Sequence, residues 1–549
     1  MKKKLGEIIV ELGFVAPDQV EAALQEAQST GEMLGDVLVR LGWLSHQQLN
    51  MALAAQSGAK LLDPQRTTVD IELLAALPAD LVRKHQVLPL EKKGDTVLAA
   101  MANPYDVLAR DLVQDSTGCT VQPVLAAPDW IEKAINFYYE TAANLDKEVK
   151  ELIRRATQHT PGQGSESLGV RLVHLIITKG LVTGASDIHI DPDDRVLRVH
   201  YRVDGSLLQE YLMPKALHSA VVTRIKVLSE ISIANPNIPH DGRTIFHGDI
   251  QDVPIRVSTL PTQHGEAVVL RLLQRAEAVG DMERLGFPER EQALFSEAIR
   301  RSYGLILVTG PTGSGKTTTL YTALLQVKTP TNNVITIEDP IEYVLPTVRQ
   351  CAVNPKAGFT FASALRSALR QDPDIIMVGE IRDQETAALA LRGAITGHLV
   401  LSTLHTNDAP SAIHRLLDLG VSPTILASGL RLIVAQRLVR RICEHCRVPM
   451  EPTERQRALL DAHPTEAQGT FWRGAGCEAC RHTGFKGRIG IFEVMENDPE
   501  IEELIVTQAP RSRILEAAVA KGMRPLLVDA LQKAAAGWTS LDEVMRVAV

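Results

Sequence analysis

Cysteine and aromatic side chains are scarce in this 549-residue chain, and basic residues are outnumbered by acidic ones. Six cysteines are too few for a disulfide scaffold. Aromatics at 4% leave little for the stacking platforms that grip single strands. A formal net charge of −8 has the wrong sign for a protein that mainly neutralises phosphate backbones. No apolar run reaches the ~18 residues needed to span a bilayer. The longest helix candidate, Thr424 to Val439, is interrupted by Arg431 and Arg437. Met1-Lys2-Lys3-Lys4 has the charged start of a signal peptide, but Glu7 and Glu11 interrupt the apolar residues after it. These absences predict a cytoplasmic chain that reaches a membrane only by docking on it. Glycine and proline are at ordinary levels, and 45% hydrophobic residues can fill several cores, so the length suggests three or four domains.

What is present begins with a repeat. Leu5-Gly6 recurs as Leu34-Gly35, Leu12-Gly13 as Leu41-Gly42, Gln19 as Gln48 and Ala23-Leu24 as Ala52-Leu53, every pair 29 positions apart. Residues 1–60 are therefore expected to be two helical units that bury their apolar faces together. Residues 61–140 alternate short strands with helices, an α/β adaptor. Residues 141–167 read as a charged helix and then a Pro/Gly/Ser linker from His159 to Ser167. Alternating strands around Asp187 to Ile190 and Val196 to Val203 place a smaller α/β domain at 168–280. From 281 to 549 the runs Leu305 to Val308, Val334 to Ile337 and Ile375 to Val378 alternate with helices, which implies a parallel sheet covered on both faces. Within this last unit, about 440–490 is set apart by paired cysteines, and C-terminal helices are expected over 491–549.

Gly310-Pro311-Thr312-Gly313-Ser314-Gly315-Lys316-Thr317, with Thr318 next to it, fits the phosphate-loop pattern between an apolar strand and a helix. Its glycines let backbone N–H groups converge on phosphate oxygens, and the helix N-terminus adds partial positive charge. Lys316 would reach the β- and γ-phosphates of ATP, and the Thr317 hydroxyl would ligate Mg²⁺. The competing reading is a glycine-rich turn without a ligand. Glu380 ends the apolar run from Ile375 and so falls at the ligand edge of such a sheet, where a carboxylate can orient attacking water. Its alternative is a helix cap. Cys443-x2-Cys446 and Cys477-x2-Cys480 offer two thiolate pairs, enough to close a tetrahedral zinc site. Redox chemistry is the alternative there.

At these boxes the chain resembles the secretion and pilus-motor ATPases. Val334 to Tyr343, with Glu338-Asp339-Pro340-Ile341-Glu342, is similar to their Asp box. Thr396-Gly397-His398 and Ser402 to Asn407 are similar to their His box. The resemblance runs from Leu168 to about Met495 and implies an α/β multidomain protein with a RecA-like P-loop core. It also implies Mg-dependent ATP hydrolysis and a homo-hexamer docked peripherally under an inner-membrane platform protein, with no nucleic acid. It makes Glu342 and Glu380 the catalytic carboxylates and His405, with His398 behind it, a phosphate sensor. Arg256 and Arg271 become charge-neutralising fingers, with Arg366 and Arg370 second in rank. The segment after Cys480 is similar to that beyond the zinc knuckle in the assembly and secretion members. The N-terminal repeat resembles a cyclic di-GMP-binding domain. Lys4, Leu5, Gly6, Gly13, Leu34, Gly35 and Gly42 match its turns, although Lys4 and Met33 stand where an arginine is usual, and lysine lacks the guanidinium fork that reads guanine. Two other classes compete with the motor: a nucleic-acid motor on the same core, and a cyclic di-GMP-responsive adaptor.

Overall fold

A computed structural model describes all residues except 1–3, 63–66, 68, 71–72, 75–76, 159–164, 250–251, 274–278, 464–468 and 549. The chain divides into two compact units, Met1–Arg275 and Ala276–Val549. Among the described residues, no helix is long and apolar enough to cross a membrane.

The first unit opens with four helices, α1 (Leu5–Glu11), α2 (Pro17–Thr30), α3 (Leu34–Arg40) and α4 (His46–Ser57). α1 packs on α4 and α2 on α3, so each repeat completes the other around Ile9, Val37 and Leu38. Gly6 and Gly35 open α1 and α3 at matching places. A Cβ on Gly6 would lie 2.9 Å from Val20, and one on Gly35 2.7 Å from Leu49, the residue 29 positions on. A mixed sheet comes after them, built from β1 (Lys60–Leu61), β2 (Val87–Lys93), β3 (Thr96–Met101) and β4 (Thr120–Leu125) in the order β1-β4-β3-β2.

Helix Ala142–Gln158 leads to helix Ser165–Val182. The expected linker lies outside the described residues at 159–164, and its last three residues, 165–167, are helical instead. The next strands are β5 (Asp187–Pro192), β6 (Val196–Val203), β7 (Ser206–Pro214), β8 (His240–His247), β9 (Asp252–Thr262) and β10 (Gly265–Leu272). They form a six-stranded antiparallel sheet in the order β7-β6-β5-β10-β9-β8. One face buries Ile188, Val199, Val257 and Leu270 against helices Ser165–Val182 and His218–Leu228. The other carries the alternating polar residues.

The main strands of the second unit are β11 (Gly304–Thr309), β12 (Val334–Glu338), β13 (Arg349–Ala352), β14 (Ile375–Val378), β15 (Leu399–Leu404), β16 (Leu430–Ile442) and β19 (Phe485–Glu496). They form a seven-stranded sheet in the order β13-β12-β14-β15-β11-β16-β19. All pair in parallel except β19, which runs antiparallel to β16. Alternate residues feed two cores, Leu305 and Leu307 on one face, Ile306 and Val308 on the other. The hairpin β17 (Arg447–Met450) and β18 (Phe471–Gly474) sits beside the cysteine pairs.

Two expectations are corrected here. Only residues 424–429 of the Thr424–Val439 candidate are helical, in helix Pro423–Gly429, because Leu432 and Val434 enter one core while Ile433, Ala435 and Val439 enter the other. A strand buried on both faces shows no alternation, so periodicity cannot distinguish it from helix. Residues 491–496, assigned to the C-terminal helices, continue β19, and the helices start at Pro499.

Candidate active site

Parallel pairing brings the C-terminal ends of β11, β14, β15 and β12 to one edge of the sheet. The phosphate loop leaves β11 there. Gly310 (φ 150°), Gly313 (φ 79°) and Gly315 (φ 87°) occupy backbone conformations that side chains disfavour. A Cβ on Gly310 would also sit 2.3 Å from the Gln436 carbonyl oxygen. Gln436, on β16, clamps the loop from below. Its Nε2 donates to the Ser314 carbonyl at 2.7 Å and its Oε1 accepts the Thr319 hydroxyl at 2.7 Å.

Helix Lys316–Val327 starts with Gly315 as its N-cap and no side-chain cap, which leaves first-turn N–H groups for an anion. Pro311, Thr312 and Gly313 are exposed, Thr317 and Thr318 half-buried. The Ser314 hydroxyl is buried without a hydrogen-bond partner among the described residues. An unpaired buried hydroxyl beside free N–H groups fits a phosphate-shaped ligand. Lys316 Nζ donates to the carbonyls of Gly310 (2.7 Å) and Pro311 (3.0 Å). Burial brings its pKa down to about 8, against the pull of the Glu380 carboxylate.

Glu380 lies two residues beyond β14, with one oxygen bonded and the other near a histidine. Oε1 accepts Arg382 Nη2, and Oε2 lies 3.6 Å from His405 Nε2. Arg382 Nη1 is 3.6 Å from Asp339 at the end of β12. His405 ends β15. Burial and the Lys316 cation lower its pKa against the Glu380 carboxylate, which favours the uncharged imidazole. Behind it, Thr406 bonds Thr309 through both its N–H (2.9 Å) and its hydroxyl (2.6 Å), which ties β15 to the loop strand.

The remaining candidates lie elsewhere. Glu342 is half-buried in the loop after β12, its N–H bonded to the Tyr321 hydroxyl. Glu338 is buried and occupied by Tyr321, Thr336 and Gln350. His398 stands at the start of β15, its ring bonded to the Gly393 carbonyl at 2.9 Å. β15 spans about 20 Å at 3.3 Å per residue, so His398 is at the edge opposite the phosphate loop. Arg366 pairs with Glu385, and Arg370 lies past the end of helix Phe361–Ala368. Arg256 and Arg271 face each other in register on β9 and β10 of the first unit. Arg382, Asp339 and Gln436 escaped the sequence reading. Asp339 stands inside the Asp box, and Arg382 two residues past Glu380, just outside any recognised box. Gln436 has no local signal, being 122 positions from the carbonyl it holds.

The four cysteines converge. Sγ distances are 3.8 Å (Cys443–Cys477), 3.8 Å (Cys446–Cys480) and 3.7 Å (Cys477–Cys480). A tetrahedron with Zn–S bonds near 2.3 Å has edges of about 3.8 Å, whereas a disulfide needs about 2.05 Å. The N–H groups of Gly476, Cys477 and Gly484 donate to Cys446 or Cys480 sulfur, as thiolates require. The set suits zinc. In the repeat, Lys4 and Met33 are the N-caps of α1 and α3, and Gly13 and Gly42 are left-handed at φ 70° and 72°. A Cβ on Gly6 would lie 3.5 Å from Leu34, so the two Leu-Gly turns meet.

Sheet order and phosphate loop together define a RecA-like P-loop ATPase core. Comparison with known proteins narrows this. The family model for type II/IV secretion system proteins matches residues 163–546, and that for the MshEN domain matches 57–145, beginning where the helical repeat ends. The type IV pilus assembly ATPase PilB of Myxococcus xanthus is 38% identical over 99% of both chains. The type II secretion system protein HxcR of Pseudomonas aeruginosa is 47% identical over 69% of this chain and 77% of its own. The solved structure of the Legionella pneumophila ATPase DotB shares the fold at 21% identity, with TM-score 0.51 over 68% of this chain and 94% of that one. The chain belongs to the type II/IV secretion system protein family, as one of its pilus-assembly and secretion ATPases carrying an MshEN domain.

Proposed function

We propose that this chain is a hexameric, Mg²⁺-dependent motor whose ATP hydrolysis drives assembly of pilin-like subunits from beneath an inner-membrane platform protein. The observation that carries this is Glu380, bonded to Arg382 and 3.6 Å from His405 beside the phosphate loop at one sheet edge. Lys316 and the loop N–H groups hold the β- and γ-phosphates. The Thr317 hydroxyl would ligate Mg²⁺, which supplies further charge neutralisation. Glu380 accepts the proton of the attacking water, Arg382 keeps that carboxylate oriented, and His405 lines the same edge. Glu342 contributes a second carboxylate from the Asp box. Arg256 and Arg271, supplied by another copy, offset the charge that builds on the equatorial oxygens. The four cysteines hold a structural zinc. The paired Leu-Gly turns, with Lys4, would take cyclic di-GMP as a regulator, and the protein acts without nucleic acid.

Lys316→Ala tests the phosphate site. Nucleotide binding and Mg·ATP turnover are expected to fall by at least about 10²-fold. Turnover at the wild-type rate would contradict the reading.

A further inference from the structure

The polar face of the six-stranded sheet carries one aligned row of charge. Arg243 pairs in register with Arg256, Arg256 with Arg271, Arg271 with Asp187, and Asp187 with Arg202. Residues directly opposite in antiparallel strands share a face, so four guanidinium groups and one carboxylate lie on a line across five strands. Like charges set opposite one another destabilise a sheet. Such a row suits an anion that arrives from outside.

Asp187 is the odd member. Its side chain is 8% exposed, that of Arg271 56%. Asp187 Oδ1 accepts the Nε–H of Arg271 at 2.9 Å, while Oδ2 accepts the Ser186 hydroxyl at 2.8 Å and lies 3.9 Å from Arg202 Nε. The Asp187 bond therefore uses the guanidinium nitrogen nearest the stem. Neither Nη group of Arg271 has a hydrogen bond among the described residues, and the side chain is more than half exposed. A guanidinium pinned at Nε presents its two Nη donors as a preset fork for a phosphate.

We propose that Asp187 is a positioning residue for the ATPase reaction, holding Arg271 by Nε so that its Nη pair meets the phosphates bound by another copy. This rests on the reading of Arg271 as a finger. Without the carboxylate, Arg271 turns between its like-charged neighbours, and the fork is presented only part of the time.

The test is steady-state ATP turnover and nucleotide affinity of the full-length oligomer carrying Asp187→Asn, Arg271→Ala or both. Asp187→Asn keeps the shape and an acceptor but removes the charge. It is expected to lower kcat about 10²-fold while leaving nucleotide affinity at the phosphate loop unchanged. Arg271→Ala is expected to cost 10³-fold or more, roughly, and the double variant no more than that. Wild-type kcat in Asp187→Asn, or an additive loss in the double variant, would overturn the positioning role. Wild-type turnover in Arg271→Ala would instead overturn the finger reading itself. Arg271→Lys keeps the charge without an Nε to grip, which covers the case where Asp187→Asn fails to fold. It should lose kcat to a similar degree, and wild-type kcat there would equally overturn the proposal.

Discussion

The Lys316 ammonium lies against the carbonyls of Gly310 and Pro311, and burial takes its pKa from 10.5 to about 8. Phosphate needs the charged form. In the free protein that form is about nine-tenths populated at pH 7, half at pH 8 and about a tenth at pH 9. Nucleotide affinity should therefore hold at pH 7 and weaken about tenfold by pH 9. Titration with a fluorescent nucleotide at pH 7, 8 and 9 checks this, and a flat affinity would contradict it. The same residue shows why the loop was legible in sequence. Every donor it offers comes from consecutive residues, so spacing alone specified it. Asp339 and Arg382 belong to a cluster assembled from two strand ends, and only the fold shows that they converge on Glu380.

Among elements, the C-terminal helix Leu541–Val547 is fastened to β16 through Glu543. The Glu543 carboxylate, 1% exposed, accepts from the backbone and guanidinium of Arg440 and from Arg546. Burial alone would raise its pKa, but Arg546 and Arg440 outweigh this and hold it at about 2 instead of 4.5. A depressed carboxylate stabilises above its unfolded value, so the contribution is complete above pH 4.5 and lost as pH falls toward 2. The shift corresponds to about 3 kcal/mol. Glu543→Gln should speed amide exchange in this helix roughly 10²-fold at pH 7, and exchange at the wild-type rate would refute the linkage. β16 itself was illegible in sequence. Buried on both faces, it hid its periodicity, and with it the position of Gln436 under the loop.

Across the whole molecule, the net charge of −8 and the few aromatics pointed away from a nucleic-acid motor, and the relatives are secretion and pilus ATPases. Fold class was readable because its boxes are local and ordered. The register that aligns Arg243, Arg256, Arg271, Asp187 and Arg202 was not, since it depends on strand pairing between residues up to 84 positions apart. Most directly at issue is whether Glu380 activates water in an ATP-hydrolysing ring. Mg·ATP turnover and ATP binding, measured on wild type and Glu380→Gln, address that together. Binding is expected to persist while kcat falls by about 10²–10⁴. A Glu380→Gln protein that binds ATP and still turns it over within a few fold of wild type would contradict the account.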